Sequence, residues 1–166
     1  MKDALVEIVP YDPLWPGRFE AEREGLAEVL APWLDGGIHH VGSTAVPGLA
    51  AKPVIDIMAG VRDLDEARAA ISPLAALGYV NAPYRDWLVW FCKPHFSHRT
   101  HHLHLVEPRH PEWAARLAFR EILRKDHRAA ADYQRLKEHL AARFRNDREA
   151  YTDAKTDFIR STLASR

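Results

Sequence analysis

His39-His40-Val41-Gly42-Ser43-Thr44-Ala45-Val46-Pro47-Gly48-Leu49-Ala50-Ala51-Lys52-Pro53-Val54-Ile55-Asp56-Ile57 is the stretch on which the reading of this chain turns. Ile38 to Val41 reads as a strand, introduced by the breaker Asp35-Gly36-Gly37, and it runs straight into a Gly-Ser pair. The loop from Thr44 to Pro53 carries too much proline and glycine for a regular helix. It delivers the apolar strand Val54 to Met58, in which Asp56 is the one charge. A carboxylate in a run that otherwise reads as buried sheet is expensive to leave unpaired. Asp56 therefore calls for a cation, a donor network or a metal, or else serves as a strand-edge cap on a neighbouring turn. Gly42 lets a phosphate approach the backbone, where the Ser43 hydroxyl and the adjacent N–H groups can donate to it.

Outward from this stretch, Leu5 to Val9 reads as a short first strand ended by Pro10. From about Pro16 to Pro32, Phe19, Leu26, Val29 and Leu30 recur at helical spacing, with Glu20, Glu22, Glu24 and Glu28 on the wet side. Leu64 to Leu77 reads as a helix capped at Asp63, with Glu66 three residues on, and closed by Gly78. Trp87 to Phe91 and His101 to Val106 read as strands. The second alternates so that His102 and His104 share one face and Leu103 and Leu105 the other. His95, His98 and His101 fall in what reads as a polar loop. After Pro111 the chain is helical to its end, with breaks near Lys125-Asp126-His127 and Asn146-Asp147.

A length of 166 residues with 47% hydrophobic side chains fits one compact α+β domain, 1–166, divided into an αβ core over 1–110 and C-terminal helices over 111–166. Lys and Arg number 23 and so do Asp and Glu, which argues against a general nucleic-acid binder. Residues 112–166 nevertheless hold 13 basic and 9 acidic side chains, a net +4 that can draw an anion into a cleft between the two parts. No run approaches the ~20 apolar residues of a spanning helix and no leader is visible, so the expected location is the cytoplasm, with no membrane partner. The single cysteine, Cys92, rules out an intrachain disulfide framework and reads as a small core residue. Ser43 lacks the Gly-x-Ser-x-Gly elbow of a serine hydrolase.

The stretch from His39 to Ile57 resembles the signature of the GrpB family, usually placed in the nucleotidyltransferase superfamily. Tyr11-Asp12-Pro13 with Trp15 and Phe19, Gly78-Tyr79, His102-Leu103-His104, Phe119-Arg120, Tyr133 with Leu136-Lys137, and Tyr151 with Lys155 extend the likeness over nearly the whole chain. The fold it implies is α/β in the broad sense: a nucleotidyltransferase-like mixed twisted sheet with flanking helices and a helical C-terminal part. The partner it implies is a nucleotide or other phosphorylated small molecule, and the reaction is nucleotidyl transfer to an unknown acceptor. By the same resemblance Gly42, Ser43 and Thr44 hold phosphates, with Arg120, Tyr133, Lys137 and Lys155 reaching them from the C-terminal helices. Asp56 and Lys52 are the implied catalytic residues, and Asp56 with His102 and His104 the implied holders of a divalent ion, Mg²⁺, Mn²⁺ or Zn²⁺.

The sequence departs from the superfamily pattern where two carboxylates at alternate strand positions bind metal. The positions two before and two after Asp56 are Val54 and Met58, neither of which can ligate Mg²⁺. The later strand offers His102 and His104 in place of an acid, with Glu107 just beyond. One Asp with two imidazoles suits a borderline ion such as Zn²⁺, Mn²⁺ or Ni²⁺ better than Mg²⁺. The alternatives are a catalytically degraded ligand-binding or regulatory module, a metal-dependent hydrolase, or histidines that simply satisfy Asp56 by hydrogen bonds. On the C-terminal side Arg116, Arg120 and Arg124 share a helical face, where Arg116 and Arg124 also suit a solvated surface.

Overall fold

The computed structural model describes residues 4–166. Its centre is a five-stranded mixed sheet: β1 (Leu34–Val41), β2 (Ile55–Val61), β3 (Val80–Ala82), β4 (Leu88–His95) and β5 (His98–Val106). The strands lie in the order β1-β2-β5-β4-β3, with β2 and β5 parallel and the other neighbours antiparallel. Helix α1 (Trp15–Leu30) precedes the sheet, and α2 (Leu64–Ala67) and α3 (Ile71–Ala76) lie in the crossover from β2 towards β5. Four helices follow the sheet: α4 (Pro111–Lys125), α5 (His127–Arg143), α6 (Arg148–Asp153) and α7 (Thr156–Ala164).

The period of two along β2 and β5 decides which residues face which layer. Ile55, Ile57, Ala59 and Val61, with Leu103 and Leu105, pack against Trp15, Phe19, Leu26 and Leu30 of α1 and Leu74 of α3. The intervening residues point to the other face, where Met58, Val106, Trp90 and Cys92 pack with Trp113 of α4. Asp56, His102 and His104 belong to that second face by register: Asp56 stands beside His102, and Met58 beside His104. Cys92 is fully buried in this layer, as its apolar setting in the sequence suggests.

The structure departs from the sequence reading at several places, one of them β1, which starts at Leu34 and takes in the Asp35-Gly36-Gly37 breaker. Leu5 to Val9 is not a strand: only Val9 makes a bridge, to Ala51, and Val6 donates to the Arg145 carbonyl of the C-terminal part. Pro10 has no N–H with which to continue a ladder. The helix expected over Leu64 to Leu77 is broken by a 3₁₀ turn at Arg68–Ala70, because Pro73 lacks an N–H and its ring would clash with the Ala69 carbonyl of a continuous helix. Its cap is as read, with Asp63 accepting from the Glu66 amide at 3.0 Å. The three-residue edge strand β3 is too short to show a period. His95 lies in β4, and His98 and His101 in β5, rather than in a loop, since β4 and β5 form a hairpin closed at Phe96-Ser97. Asp126 and Asp147 cap α5 and α6 at the expected breaks, and a further break at Ala154-Lys155 separates α6 from α7. No helix among the described residues is long and apolar enough to cross a membrane.

Candidate functional site

Asp56 sits in mid-sheet with its carboxylate between two imidazoles. His102 Nδ1 is 3.1 Å and His104 Nε2 3.8 Å from Asp56 Oδ1. The histidine side chains are 12% and 8% exposed, whereas Asp56 keeps 31%, so the cluster opens on the Asp56 side. Burial pulls the Asp56 carboxyl upward, but the two imidazoles outweigh it and hold the group well below the usual carboxylate range. Burial lowers both histidines, His104 to about 4, so both rings are neutral at pH 7. Arg116 of α4 brings Nη1 to 3.4 Å from His104 Nδ1 and lies over the Trp87 ring. His102 Nε2 is buried and has no hydrogen-bond partner among the described residues.

The Gly42–Ser43 turn is pressed against this carboxylate. Gly42 has φ +73°, and a Cβ added there would lie 2.7 Å from Asp56 Oδ2, so glycine is required by backbone and by space alike. Ser43 to Ala45 then forms one 3₁₀ turn, whose first amides, those of Ser43 and Thr44, have no acceptor within it. The turn is clamped from behind. Arg120 donates to the His40 carbonyl and Arg124 to the Ala45 carbonyl, each at 2.9 Å, and Glu121 pairs with both guanidinium groups. The Thr44 hydroxyl donates to the Val54 carbonyl at 3.2 Å and lies 2.9 Å from Nε2 of His40, which stacks on Phe19.

Three amines come to the same region, two of them from the C-terminal part. Lys52, at the entry to β2, and Lys155, between α6 and α7, both stand over the Tyr151 ring, at 5.0 and 4.3 Å. Lys137 of α5 is 2% exposed, lies over the Tyr133 ring and donates to the Ala50 carbonyl. Burial, reinforced for Lys52 and Lys137 by the charge of Lys155, pushes Lys52 and Lys137 down to about 7. Burial brings Lys155 to about 8, with Asp56 opposing the shift. The Tyr133 phenol faces the Ser43 hydroxyl, and burial raises its pKa.

The structure thus gathers Gly42, Ser43, Asp56, His102, His104, Lys52, Tyr133, Lys137 and Lys155 around the turn and the open side of Asp56. Two expected phosphate ligands are placed otherwise: the Thr44 hydroxyl is spent on a backbone carbonyl, and Arg120 holds the back of the turn. The arginines divide differently from the sequence reading, which set Arg120 apart from Arg116 and Arg124: Arg120 and Arg124 both donate to backbone carbonyls. Arg116, read as surface, touches His104, and Arg124 ties down Ala45. Their i,i+4 spacing with Arg120 was the signal, since residues four apart share a helix face. Glu107 is no third acid, because its carboxylate accepts from the Leu64 amide at 3.0 Å and pairs with Arg109. His101 points to the opposite face, towards Glu22, and His95 bonds Ser97. Two cavities lie elsewhere, one of about 470 Å³ at the α4–α5 corner and one of about 260 Å³ behind the turn.

The superfamily's paired Mg²⁺ ions do not fit these residues. Val54 and Met58, which flank Asp56 at alternate positions, are buried and apolar, leaving one carboxylate where Mg²⁺ asks for an oxygen-rich shell.

A mixed sheet with a Gly-Ser turn over a strand-borne Asp and helices on both faces defines a nucleotidyltransferase-like fold. A cytoplasmic RNA terminal U-transferase shares it, with a TM-score of 0.53 over 83% of this chain and 41% of that one, at 15% identity. Within that class residues 5–165 match the family described as "GrpB protein", and the chain belongs to the GrpB family. It is 40% identical to a UPF0157 protein of Pseudomonas aeruginosa over 97% of this chain and 67% of that one. The crystal structure of the conserved protein GrpB from Enterococcus faecalis superposes with a TM-score of 0.85 over 96% of each chain, at 28% identity.

Proposed function

We propose that the protein binds a phosphorylated ligand, in the first instance a nucleoside polyphosphate, between the Gly42–Ser43 turn, Asp56 and the lysines of the C-terminal part. The convergence of Lys52, Lys137 and Lys155 carries this reading. Among the described residues none of the three is ion-paired to a carboxylate. Each buried amine lacks the counter-charge that would hold it protonated, and a phosphate supplies it. Ser43 and Tyr133 add hydroxyl donors for the same oxygens, and the amides that open the 3₁₀ turn have no acceptor within it. Nucleotidyl transfer asks for more, because in-line displacement is normally carried by two metal ions held on paired carboxylates. With Val54 and Met58 in place of the second acid, binding is the function the site supports best.

The expected result is thermal stabilisation of the full chain by nucleoside triphosphates and by inorganic triphosphate, measured in chelator. No shift with any of them at millimolar concentration would remove the proposal. A control on added metal and acceptor is release of pyrophosphate, which a binding protein does not give.

The lowered amine pKa values set the pH dependence. In the free protein Lys52 and Lys137 are half neutral near pH 7. A bound polyanion favours the ammonium form and raises their pKa values, so binding at pH 8 takes up protons and affinity falls as pH rises from 7 to 9. Calorimetry in two buffers of different ionisation enthalpy measures the uptake, and proton release or zero exchange would contradict it.

A further inference from the structure

The donor set that fails for Mg²⁺ is well matched to another kind of ion. We propose that Asp56, His102 and His104 form a mononuclear site for a transition-metal dication of the Zn²⁺ class, with Arg116 as a built-in competitor. One carboxylate oxygen and two imidazole nitrogens are the ligand types such an ion prefers. The three side chains offer donor atoms that all lie within 4.8 Å of one another. Bonds of 2.0–2.1 Å in a tetrahedral site place donors about 3.4 Å apart. The observed separations of 3.1 Å for Asp56 Oδ1 to His102 Nδ1 and 3.8 Å for Asp56 Oδ1 to His104 Nε2 bracket that value. Parallel pairing of β2 with β5 fixes the spacing, so little backbone movement is needed to close on an ion. Three protein ligands, with Asp56 open to solvent, leave a fourth position for water or a phosphate oxygen, the pattern of reactive rather than structural zinc sites.

Two atoms show what the ion must overcome. A guanidinium only donates, so Arg116 Nη1 facing His104 Nδ1 puts the proton of the neutral ring on Nε2, towards Asp56. Coordination through Nε2 moves that proton to Nδ1, where it meets Arg116, and Arg116 must swing aside. His102 makes the same exchange, its proton passing from Nδ1 to the buried Nε2 that has no partner. Each ring keeps one proton throughout, so the balance closes without a net release from the imidazoles.

The test is a titration of the chelator-treated full chain in phosphate-free buffer with Co²⁺, read by its visible absorption, followed by displacement with Zn²⁺. The proposal expects one ion per chain, micromolar or tighter binding of Co²⁺ and Zn²⁺, and no displacement by millimolar Mg²⁺. Asp56→Asn, which preserves shape, and His102→Ala each weaken binding at least tenfold. Arg116→Gln strengthens it several-fold, a readout that a purely structural role for Arg116 does not produce. Absence of the cobalt band in the wild type, or a band that survives the double variant His102→Ala/His104→Ala, overturns the site. The cobalt titration is run without phosphate and the triphosphate melts are run in chelator, so failure here and failure of the phosphate reading are separately visible.

Discussion

Gly42→Ala is expected to lower the stability of the chain by about 2–6 kcal/mol, adding a positive-φ backbone cost of about 1–3 kcal/mol to an overpacking cost of about 1–3 kcal/mol. Gly42 has φ +73°, and the new methyl would stand 2.7 Å from Asp56 Oδ2 and 3.1 Å from Asp56 Cβ. Asp56 cannot retreat, because β1 pairs on one side of its strand and β5 on the other. For a chain of this size the drop corresponds to roughly 5–15 °C in melting temperature. Stabilisation by triphosphate should vanish with it, since the methyl occupies the approach to Ser43. Gly48→Ala is the matching control: its φ is +80°, yet nothing lies within 4 Å of the added Cβ. That variant should lose the backbone contribution alone and keep its ligand response. A Gly42→Ala protein that melts like the wild type and still responds to triphosphate would show that the turn is not packed on Asp56 as described.

Lys52→Met and Lys155→Met should do the opposite to stability while weakening the binding of triphosphate. Both amines crowd the Tyr151 ring, each carries a lowered pKa, and burial is the leading cause for both. A group whose folded pKa lies below its unfolded value destabilises the fold at low pH and ceases to do so as pH rises through the unfolded value. Each methionine therefore removes a destabilising charge at pH 7, and the free protein melts higher. Loss of one charged donor to phosphate costs about 1.5–3 kcal/mol, roughly 10- to 100-fold in affinity. Calorimetric titration with inorganic triphosphate beside a melting curve separates the two effects. If both variants melt lower and bind as before, the amines are structural and the phosphate reading fails.

Much of this was legible in the residues. The alternation of His102-Leu103-His104-Leu105 told which face of β5 is polar because a strand has a period of two whatever surrounds it. Asp63, Asp126 and Asp147 marked helix starts because capping is a contact between residues three apart. The missing second carboxylate was visible as Val54 and Met58. The break at Pro73 is equally local and could have been read from the proline alone. Bridging of Val9 to Ala51 could not, since it depends on a segment forty residues away.

Residue order is enough for the family, for the alternation that aims Asp56, His102 and His104 at one face, and for the chemistry those residue types permit. Tertiary structure alone decided the company they keep. Arg116, Arg120 and Arg124 are equivalent by spacing, yet one meets an imidazole and two meet backbone carbonyls of the turn. Lys137 travels 87 positions along the chain to reach the Ala50 carbonyl. The physical reason is that periodicity encodes only which side of an element is buried. Where a long cationic side chain ends depends on the docking angle of its helix and on the unsatisfied oxygens and rings that the partner surface presents there.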